Sequence, residues 1–307
     1  MARVLLTRSL PFDAITALKA RHDIVVHDGA LPPDTRTLTR LIADADGILC
    51  LLTDRVDAAL LNAAPHLRVV SNFAVGCDNI DLAACRARGI PVGVTPDVLT
   101  EATADLAFAL MLAAARRLAE GERAVRAGDW RTWEPAGWLG TDVHGAILAL
   151  VGAGRIGEAV ARRAAGFGME IVRVGRRDDL HAALARADFV SLHAPLTDAT
   201  RHLIDARALA ACKPGAILVN TARGGIVDHV ALAAALHAGH LGAAALDVTD
   251  PEPLPATSAL LDAPNLLVVP HIGSATRGAR ERMAALAVAN LVAGLEGAPL
   301  PHPAPPH

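Results

Sequence analysis

The sequence has little of several residue types that mark particular classes of protein. Among its 307 residues there is no tyrosine, and tryptophan and cysteine occur only three and four times. The cysteines lack the spacing of metal ligands and are too few for a disulfide framework, so we expect reduced thiols and no metal site. They are Cys50, Cys77, Cys85 and Cys212. This usage is typical of a cytoplasmic protein.

Long apolar runs and a large excess of one charge are also missing. The net charge of −3 gives no electrostatic reason for nucleic acid or an anionic membrane as a partner. The first residues, MARVLLTRSLPFD, lack the apolar region of a secretory signal. The most apolar helical stretch, 102–115, contains Asp105 and is too short to cross a bilayer. We therefore expect a cytoplasmic protein whose partner is a small molecule.

Apolar residues are abundant, at 52% of the chain, and short apolar runs alternate with helical segments. Such alternation predicts parallel sheets with helices on both faces. In the first part of the chain, strands are predicted near 3–7, 24–27, 47–51, 68–72 and 91–94, with helices near 12–21, 34–44, 56–63 and 79–88. One further helix is predicted from about 100 to 119.

A second alternating series begins at Ala146. Its strands are predicted near 146–151, 170–174, 188–192, 216–220, 243–247 and 266–269. The fold class is therefore α/β, with two doubly wound domains and a cleft between them. We expect a flavodoxin-like substrate domain at 1–98, completed by 275–307, and a Rossmann dinucleotide-binding domain at 99–274. The Pro-rich end, 299–307, is expected to be disordered.

The motif Gly152-Ala-Gly154-Arg155-Ile156-Gly157 joins the first strand of the second series to a helix. This is the context that a dinucleotide-binding fingerprint requires. Gly152 allows the tight turn, Gly154 lets the backbone approach a pyrophosphate, and Gly157 lets the helix pack close to the strand. The N–H groups at the helix start then face the phosphates.

The next strand ends in Gly175-Arg176-Arg177, where NAD-binding sites usually carry an acidic residue that holds the ribose. A guanidinium binds a 2′-phosphate, whereas a carboxylate repels it. The sequence therefore favours NADP(H), and NAD(H) remains the alternative. Asp178 and Asp179 offer the two arginines another partner, and the segment 178–186 is short.

Three chemically distinctive side chains follow three later strands. Arg223 lies in Asn220-Thr-Ala-Arg-Gly, Glu252 in Asp247-Val-Thr-Asp-Pro-Glu, and His271 in Pro270-His-Ile-Gly. Open α/β sheets bind ligands at the carboxyl ends of their strands. A guanidinium, a carboxylate and an imidazole beside a dinucleotide loop indicate an active site.

These motifs, together with His193-Ala-Pro195-Leu-Thr and Gly273-Ser274-Ala-Thr, resemble the D-isomer-specific 2-hydroxyacid dehydrogenases over nearly the whole chain. Within that family the chain is most similar to glyoxylate/hydroxypyruvate reductases. The resemblance implies reduction of a 2-oxo acid to the D-2-hydroxy acid. His271 would act as the acid, Glu252 would orient it, and Arg223 would bind the substrate carboxylate.

The resemblance also implies binding residues. For the cofactor these are Gly152, Gly154, Arg155, Ile156, Gly157, Arg176, Arg177, His193, Pro195, Thr200, Thr221, Ala222, Arg223, Asp247, His271, Gly273 and Thr103. For the substrate they are Leu51, Leu52, Val75, Gly76, Arg223, His271, Ser274 and Trp138. In the reductases the loop that carries Trp138 lies at a dimer interface, so a homodimer is expected.

Two alternatives remain open at this point. One is another enzyme of the family, such as a phosphoglycerate dehydrogenase, although this chain has no room for the C-terminal regulatory domain that those enzymes often carry. A formate dehydrogenase would have Gln in place of Glu252. The other alternative is a dinucleotide-sensing scaffold similar to the corepressors built on this fold.

Overall fold

The computed structural model describes residues 1–305 and divides into two compact units. Unit 1 combines Met1–Leu99 with the segment from Ala275 onward, and unit 2 is Thr100–Ser274. Each unit is built around its own parallel sheet. No helix in this described range has the length and apolar character needed to cross a membrane.

Unit 1 contains a five-stranded sheet in the order β2-β1-β3-β4-β5. Its strands are β1 (Arg3–Leu6), β2 (Asp23–Val26), β3 (Gly47–Cys50), β4 (Val69–Asn72) and β5 (Val92–Gly93). Its helices are α1 (Asp13–Lys19), α2 (Thr35–Ile42), α3 (Ala58–Asn62), α4 (Leu82–Ala87) and α11 (Arg277–Leu295). All these strand pairs are parallel. This strand order confirms the expected flavodoxin-like arrangement.

The two central strands of unit 1, β3 and β4, are buried along their whole length. Helix α11 packs against both strands and against α1 on one face. The apolar residues of α2, α3 and α4 form the core on the other face. Helices on both faces explain why these strands consist of apolar runs without alternation.

The Pro-rich end of the chain is ordered as far as residue 305, so the expectation of disorder was wrong for that part; residues 306 and 307 lie outside the described range. Pro303 forms an antiparallel bridge with Gly93, next to backbone bonds from Val94 N–H to the His302 carbonyl and from the Ala304 N–H to β5. The buried Asn290 of α11 donates to the Val94 carbonyl at 2.9 Å and accepts from the His302 N–H at 2.9 Å. Tertiary hydrogen bonds therefore order a segment whose composition favours disorder.

Replacing Asn290 by alanine is expected to lower the free energy of unfolding of unit 1 by about 1–3 kcal/mol, because a buried carbonyl and a partly buried N–H lose their partner. Urea denaturation followed by circular dichroism measures the loss. His302→Ala is the matched control, since it removes a side chain and keeps the backbone N–H that Asn290 binds. An equal loss in both variants would show that Asn290 does not hold the tail.

Unit 2 contains a six-stranded sheet in the order β11-β10-β9-β8-β6-β7. Its strands are β6 (Ile147–Val151), β7 (Glu170–Val174), β8 (Phe189–Leu192), β9 (Ile217–Asn220), β10 (Ala243–Leu246) and β11 (Leu266–Val268). Its helices are α5 (Thr100–Ala115), α6 (Leu118–Ala127), α7 (Arg155–Ala165), α8 (Leu180–Arg186), α9 (Ala206–Ala211) and α10 (His229–His237), with 3₁₀ turns at Gly224–Ile226 and Ala259–Asp262. The order reverses between β6 and β8, as in a Rossmann sheet.

The single helix expected over 100–119 is two helices. Helix α5 ends at Ala115, Arg117 adopts φ +52°, and α6 then begins at Leu118 and ends at Ala127. Helices α5 and α7 cover one face of the sheet, where Arg163 forms ion pairs with Glu101 and Asp105. Helices α8, α9 and α10 contribute to the core on the other face.

The short segment after β7 contains the single helix α8 and then leads directly into β8. No strand follows β7 on its outer side within the described chain, so β7 forms the sheet edge. Two of its residues form ion pairs, Glu170 with Arg186 and Arg173 with Glu158. Charged side chains on an edge strand disfavour pairing with another chain.

Candidate active site

The glycine loop after β6 has the geometry that a dinucleotide fingerprint needs. Gly152 adopts φ +88°, and a Cβ there would lie 2.5 Å from the Ala194 backbone nitrogen. A Cβ at Gly157 would lie 2.7 Å from the Gly152 carbonyl oxygen, so α7 packs directly on the turn. A Cβ at Gly154 would enter open space. Gly154 therefore leaves room for a ligand, whereas Gly152 and Gly157 are required by the protein's own packing.

The residues around this loop fit a dinucleotide. Gly154 is the N-cap of α7, and the N–H groups of a first helical turn have no intrahelical acceptor. Thr221, at the end of the nearby strand β9, is buried, and its Oγ1 has no hydrogen-bond partner among the described residues. Open space beside a helix N-terminus and an unpaired buried hydroxyl are features that a polar ligand would use.

The end of β7 places Arg176 and Arg177 in an exposed turn. The neighbouring carboxylates have other partners: Asp178 accepts from the Gly175 N–H at 2.7 Å, and Asp179 caps α8 by accepting from the Ala182 N–H. Neither arginine forms an ion pair with them in the described structure. The two guanidinium groups are thus available to bind an anion at this end of the sheet.

His193 follows β8 and lies beside the glycine loop, 3.6 Å from the position of a Cβ at Gly157. Burial lowers the pKa of His193 to about 4, so its ring is neutral at physiological pH. Its Nε2 is 2.8 Å from Ser191 Oγ, a partner that the sequence motif does not reveal. Further along, the Thr200 hydroxyl donates to the Pro195 carbonyl and accepts from the Thr197 N–H, which shapes the 195–200 turn.

The loop after β9 is held by Asn220, which is fully buried. Its amide donates to the Arg223 carbonyl and accepts from the Ala222 N–H. A Cβ at Gly224 would overlap the backbone of Thr249, in the loop after β10. The Arg223 loop and the Glu252 loop are therefore in contact, and glycine is required where they meet.

His271 and Glu252 form a close pair, with 2.5 Å between Nδ1 and Oε1. Both side chains are partly exposed, at 23% and 33%. His271 adopts φ +53°, and its N–H donates to the Asp247 carbonyl. The carboxylate thus orients the imidazole through Nδ1, so that Nε2 is the ring nitrogen not engaged with Glu252.

Asp247 organises the loop that carries His271. It is buried at the end of β10, and its two oxygens accept from the Ile272 N–H at 2.6 Å and the Gly273 N–H at 2.8 Å. Burial raises the pKa of the Asp247 carboxyl, while the two N–H groups and His271 oppose that shift. A Cβ at Gly273 would lie 3.0 Å from Asp247 Oδ2 and 3.3 Å from Thr103 Cγ2. Thr103, Asp247 and Gly273 therefore form one cluster.

The remaining expected substrate residues lie in several places. In unit 1, Leu51 and Leu52 follow β3, and Val75 and Gly76 lie in the loop after β4, all partly buried. In unit 2, Ser274 follows Gly273 and is partly buried, and Trp138 lies in the loop after α6. Within residues 1–305 no cluster of histidine, cysteine and acidic residues could hold a metal ion.

The tryptophan loop is exposed. Trp130, Trp133 and Trp138 are 61%, 78% and 48% exposed, and the neighbouring Leu139 is 67% exposed. The Arg117 guanidinium lies 5.7 Å from the centre of the Trp138 ring. An exposed group of large apolar side chains on one loop is typical of an interaction surface.

Comparison with known proteins identifies the family. Residues 108–273 match the model of the D-isomer specific 2-hydroxyacid dehydrogenase, NAD binding domain. A glyoxylate reductase of Korarchaeum cryptofilum is 44% identical over 309 residues, which cover 96% of this chain and 93% of the relative.

Solved structures agree with this match. A protein of Thermus thermophilus has a TM-score of 0.93 and 49% identity over 98% of this chain and 99% of its own. The NADPH-dependent glyoxylate/hydroxypyruvate reductase of Sinorhizobium meliloti, solved with NADP and malonate, has a TM-score of 0.84 and 32% identity over 98% and 96%. The protein is thus an NAD(P)-dependent dehydrogenase with a nicotinamide dinucleotide as its cofactor. The chain belongs to the D-isomer-specific 2-hydroxyacid dehydrogenases.

Proposed function

We propose that this enzyme uses NADPH to reduce a small 2-oxo acid, glyoxylate or hydroxypyruvate, to the 2-hydroxy acid, with the D configuration where the product is chiral. The observation that carries this proposal is the 2.5 Å pair of His271 and Glu252, with the Arg223 loop packed against the loop of Glu252. The relatives named glyoxylate reductase support the substrate class and favour an enzyme over a dinucleotide-sensing scaffold.

His271 is the proposed acid. When bound, the nicotinamide supplies a hydride to the carbonyl carbon of the substrate. His271 gives a proton from Nε2 to the oxygen of that carbonyl, while Glu252 keeps the ring oriented through Nδ1. The planar guanidinium of Arg223 binds the substrate carboxylate with two parallel hydrogen bonds and stabilises the negative charge that develops on the oxygen.

The proposed cofactor residues follow the strand ends of unit 2. Gly152, Gly154 and Gly157, with Arg155 and Ile156, hold the pyrophosphate at the start of α7. His193, Pro195, Thr200, Thr221 and Ala222 line the path of the dinucleotide, and Thr103, Asp247 and Gly273 lie near the nicotinamide. The open space at Gly154 and the unpaired hydroxyl of Thr221 support this assignment.

The proposed preference for NADPH depends on Arg176 and Arg177. Asp178 and Asp179 accept from backbone N–H groups and form no ion pair with these arginines. Gly175 presents no carboxylate that would repel a 2′-phosphate. The NADP complex of the Sinorhizobium meliloti reductase supports the same choice for a related chain.

In unit 1, the proposed substrate contacts are the side chains of Leu51 and Leu52 and the backbone N–H groups of Val75 and Gly76. The leucines supply an apolar wall, and the N–H groups bind the substrate carboxylate. Ser274 supplies a further hydroxyl. These groups suit a short, anionic 2-oxo acid.

Steady-state kinetics with two cofactors and two substrates tests the proposal. NADPH with glyoxylate or hydroxypyruvate is expected to give the highest kcat/KM, at least about tenfold above NADH, since a charge-assisted hydrogen bond contributes about 1.5–3 kcal/mol. Equal values for the two cofactors would contradict the role of the arginines. If the enzyme reduced neither glyoxylate nor hydroxypyruvate, the proposed substrate class would be contradicted.

The tryptophan loop is proposed to form a homodimer interface and to bring Trp138 to the partner's substrate. Trp138→Ala is expected to raise the KM for hydroxypyruvate severalfold and the KM for glyoxylate less, because the larger substrate reaches further. Val230→Ala, at another exposed apolar side chain of unit 2, is the matched control. Sedimentation of the parent protein as a monomer at micromolar concentration would refute this assignment.

A further inference from the structure

The two substrate loops proposed in unit 1 are joined by a pair of asparagine side chains. Asn79 Nδ2 donates to the Leu51 carbonyl at 3.1 Å and to the Asp54 carbonyl at 2.9 Å, so it holds the loop after β3. Asn72 Nδ2 donates to the Gly76 carbonyl at 2.8 Å, so it holds the loop after β4. Asn72 Nδ2 also donates to Asn79 Oδ1 at 3.1 Å, which links the two loops.

Both amide nitrogens and both amide oxygens of this pair form hydrogen bonds within unit 1. Asn72 is completely buried, and its Oδ1 accepts from the Cys50 thiol at the end of β3. The Asn79 carbonyl accepts from the Val56 N–H, which adds a backbone link between the same two segments. An amide whose donors and acceptor are all engaged fixes the backbone around it, because breaking any one bond leaves a buried polar group unpaired.

A third residue fixes the loop after β3 from the other side. Asp54 is buried and accepts from the Leu51 N–H at 2.7 Å and from the Thr7 hydroxyl at the end of β1 at 2.5 Å. Leu51 is therefore held at both its N–H and its carbonyl. That backbone carries the proposed apolar wall of the substrate site.

We propose that the Asn72–Asn79 pair positions both substrate loops, which makes Asn79 a positioning residue for substrate binding. The inference rests on the proposed function, in which Leu51, Val75 and Gly76 contact the substrate. Asn72 holds the Gly76 carbonyl at one end of the loop, and the Thr95 N–H donates to the Ala74 carbonyl, whose planar peptide unit contains the Val75 N–H. The loop thus holds its N–H groups in place for a carboxylate before the substrate arrives.

Asn79→Ser is the test variant, since serine removes the two donors to the Leu51 and Asp54 carbonyls with a small change in volume. The KM for glyoxylate is expected to rise about 10- to 100-fold, because misplacing a substrate-binding group by about 1 Å has effects of that size. The dissociation constant for NADPH, measured by fluorescence titration, is expected to stay within twofold, since the proposed dinucleotide residues lie in unit 2.

Asp81→Ala is the matched control. Asp81 lies two residues further along, and its side chain caps α4 by accepting from the Ala84 N–H, without a bond to either substrate loop. Its backbone N–H donates to the Val56 carbonyl, and alanine keeps that bond. It is expected to lower the thermal unfolding midpoint and to leave the KM for glyoxylate unchanged. An equal rise in KM in both variants, or no rise in Asn79→Ser, would overturn the proposal.

Hydrogen–deuterium exchange separates a failure of this inference from a failure of the proposed function. Faster exchange at 73–79 in Asn79→Ser than in Asp81→Ala is expected from the loss of the link. If the parent enzyme reduced neither glyoxylate nor hydroxypyruvate but this exchange difference appeared, the proposed function would fail while the loop link stood. Unchanged exchange in Asn79→Ser would refute the link itself.

Discussion

His271→Asn is expected to lower kcat by about 10²–10⁴-fold, the range that a general acid contributes. Asparagine tolerates the left-handed backbone that His271 adopts, φ +53°, and its amide can still reach toward Glu252. It cannot give up a proton to the substrate oxygen. Pre-steady-state measurement of NADPH oxidation with glyoxylate reports the loss in the chemical step.

His202→Asn is the matched control for this change. His202 also adopts a left-handed backbone, φ +51°, and its side chain is exposed in unit 2. The same substitution there is expected to leave kcat within about twofold, as is usual for a surface position. NADPH is expected to bind both variants as it binds the parent protein. A His271→Asn enzyme that retained parental kcat would show that another group supplies the proton.

A reversal of the cofactor preference is the second large effect expected. Replacing Arg176 and Arg177 by alanine is expected to lower kcat/KM for NADPH about 10- to 100-fold and to change the value for NADH little. Adding Gly175→Asp then supplies a carboxylate for the ribose and repels the 2′-phosphate. A Cβ at Gly175 would lie 3.3 Å from Asp178 Oδ2, so Asp178→Asn is included to remove the like charge and keep the acceptor for the Gly175 N–H.

Arg186→Ala is the control for this set. Arg186 lies at the end of α8 and is paired with Glu170, so its removal takes a guanidinium from the same unit without touching the turn after β7. The ratio of kcat/KM for the two cofactors is expected to stay at the parental value. A ratio that falls as much in Arg186→Ala as in the arginine double variant would indicate a general effect of charge rather than recognition of the phosphate.

The strands were predictable from the sequence because most of them are buried between helices. Their apolar runs, such as Ile48–Cys50 and Leu148–Val151, stand out against polar turns, and the structure places strands at all eleven expected positions within a residue or two. Helix ends were harder to place. The expected helix over 100–119 ends at Ala115, and Arg117 then turns left-handed before a second helix begins. Two arginines at a helix end do not reveal that a second helix follows.

The order of the C-terminal tail was not predictable from its composition. Proline-rich segments usually stay disordered because they bury little apolar surface. Here Asn290, twelve residues earlier in the chain, supplies an acceptor to the tail and a donor to β5. Such a bond depends on the register of α11 against the sheet, which no local pattern encodes.

In the candidate site, too, some residues could be predicted from the sequence and others could not. Residues with distinctive chemistry, such as Arg223, Glu252 and His271, follow strands and could be selected from the sequence. Their partners could not, since Ser191 and Asn220 are common residue types in buried strands and only the fold shows what they contact. Glu252 and His271 are nineteen residues apart, and the 2.5 Å contact between them depends on two neighbouring loops.

The discontinuity of unit 1 has a consequence for how the protein is synthesised. Helix α11, which covers one face of β3 and β4, leaves the ribosome only after all of unit 2 has been made. Synthesis proceeds at about 5–20 residues per second, so the apolar face of the first sheet stays uncovered for on the order of ten seconds or more. During that interval the sheet residues that α11 later buries, such as Val69, expose apolar surface to which chaperones bind. Unit 2, whose residues are continuous, is free of this delay.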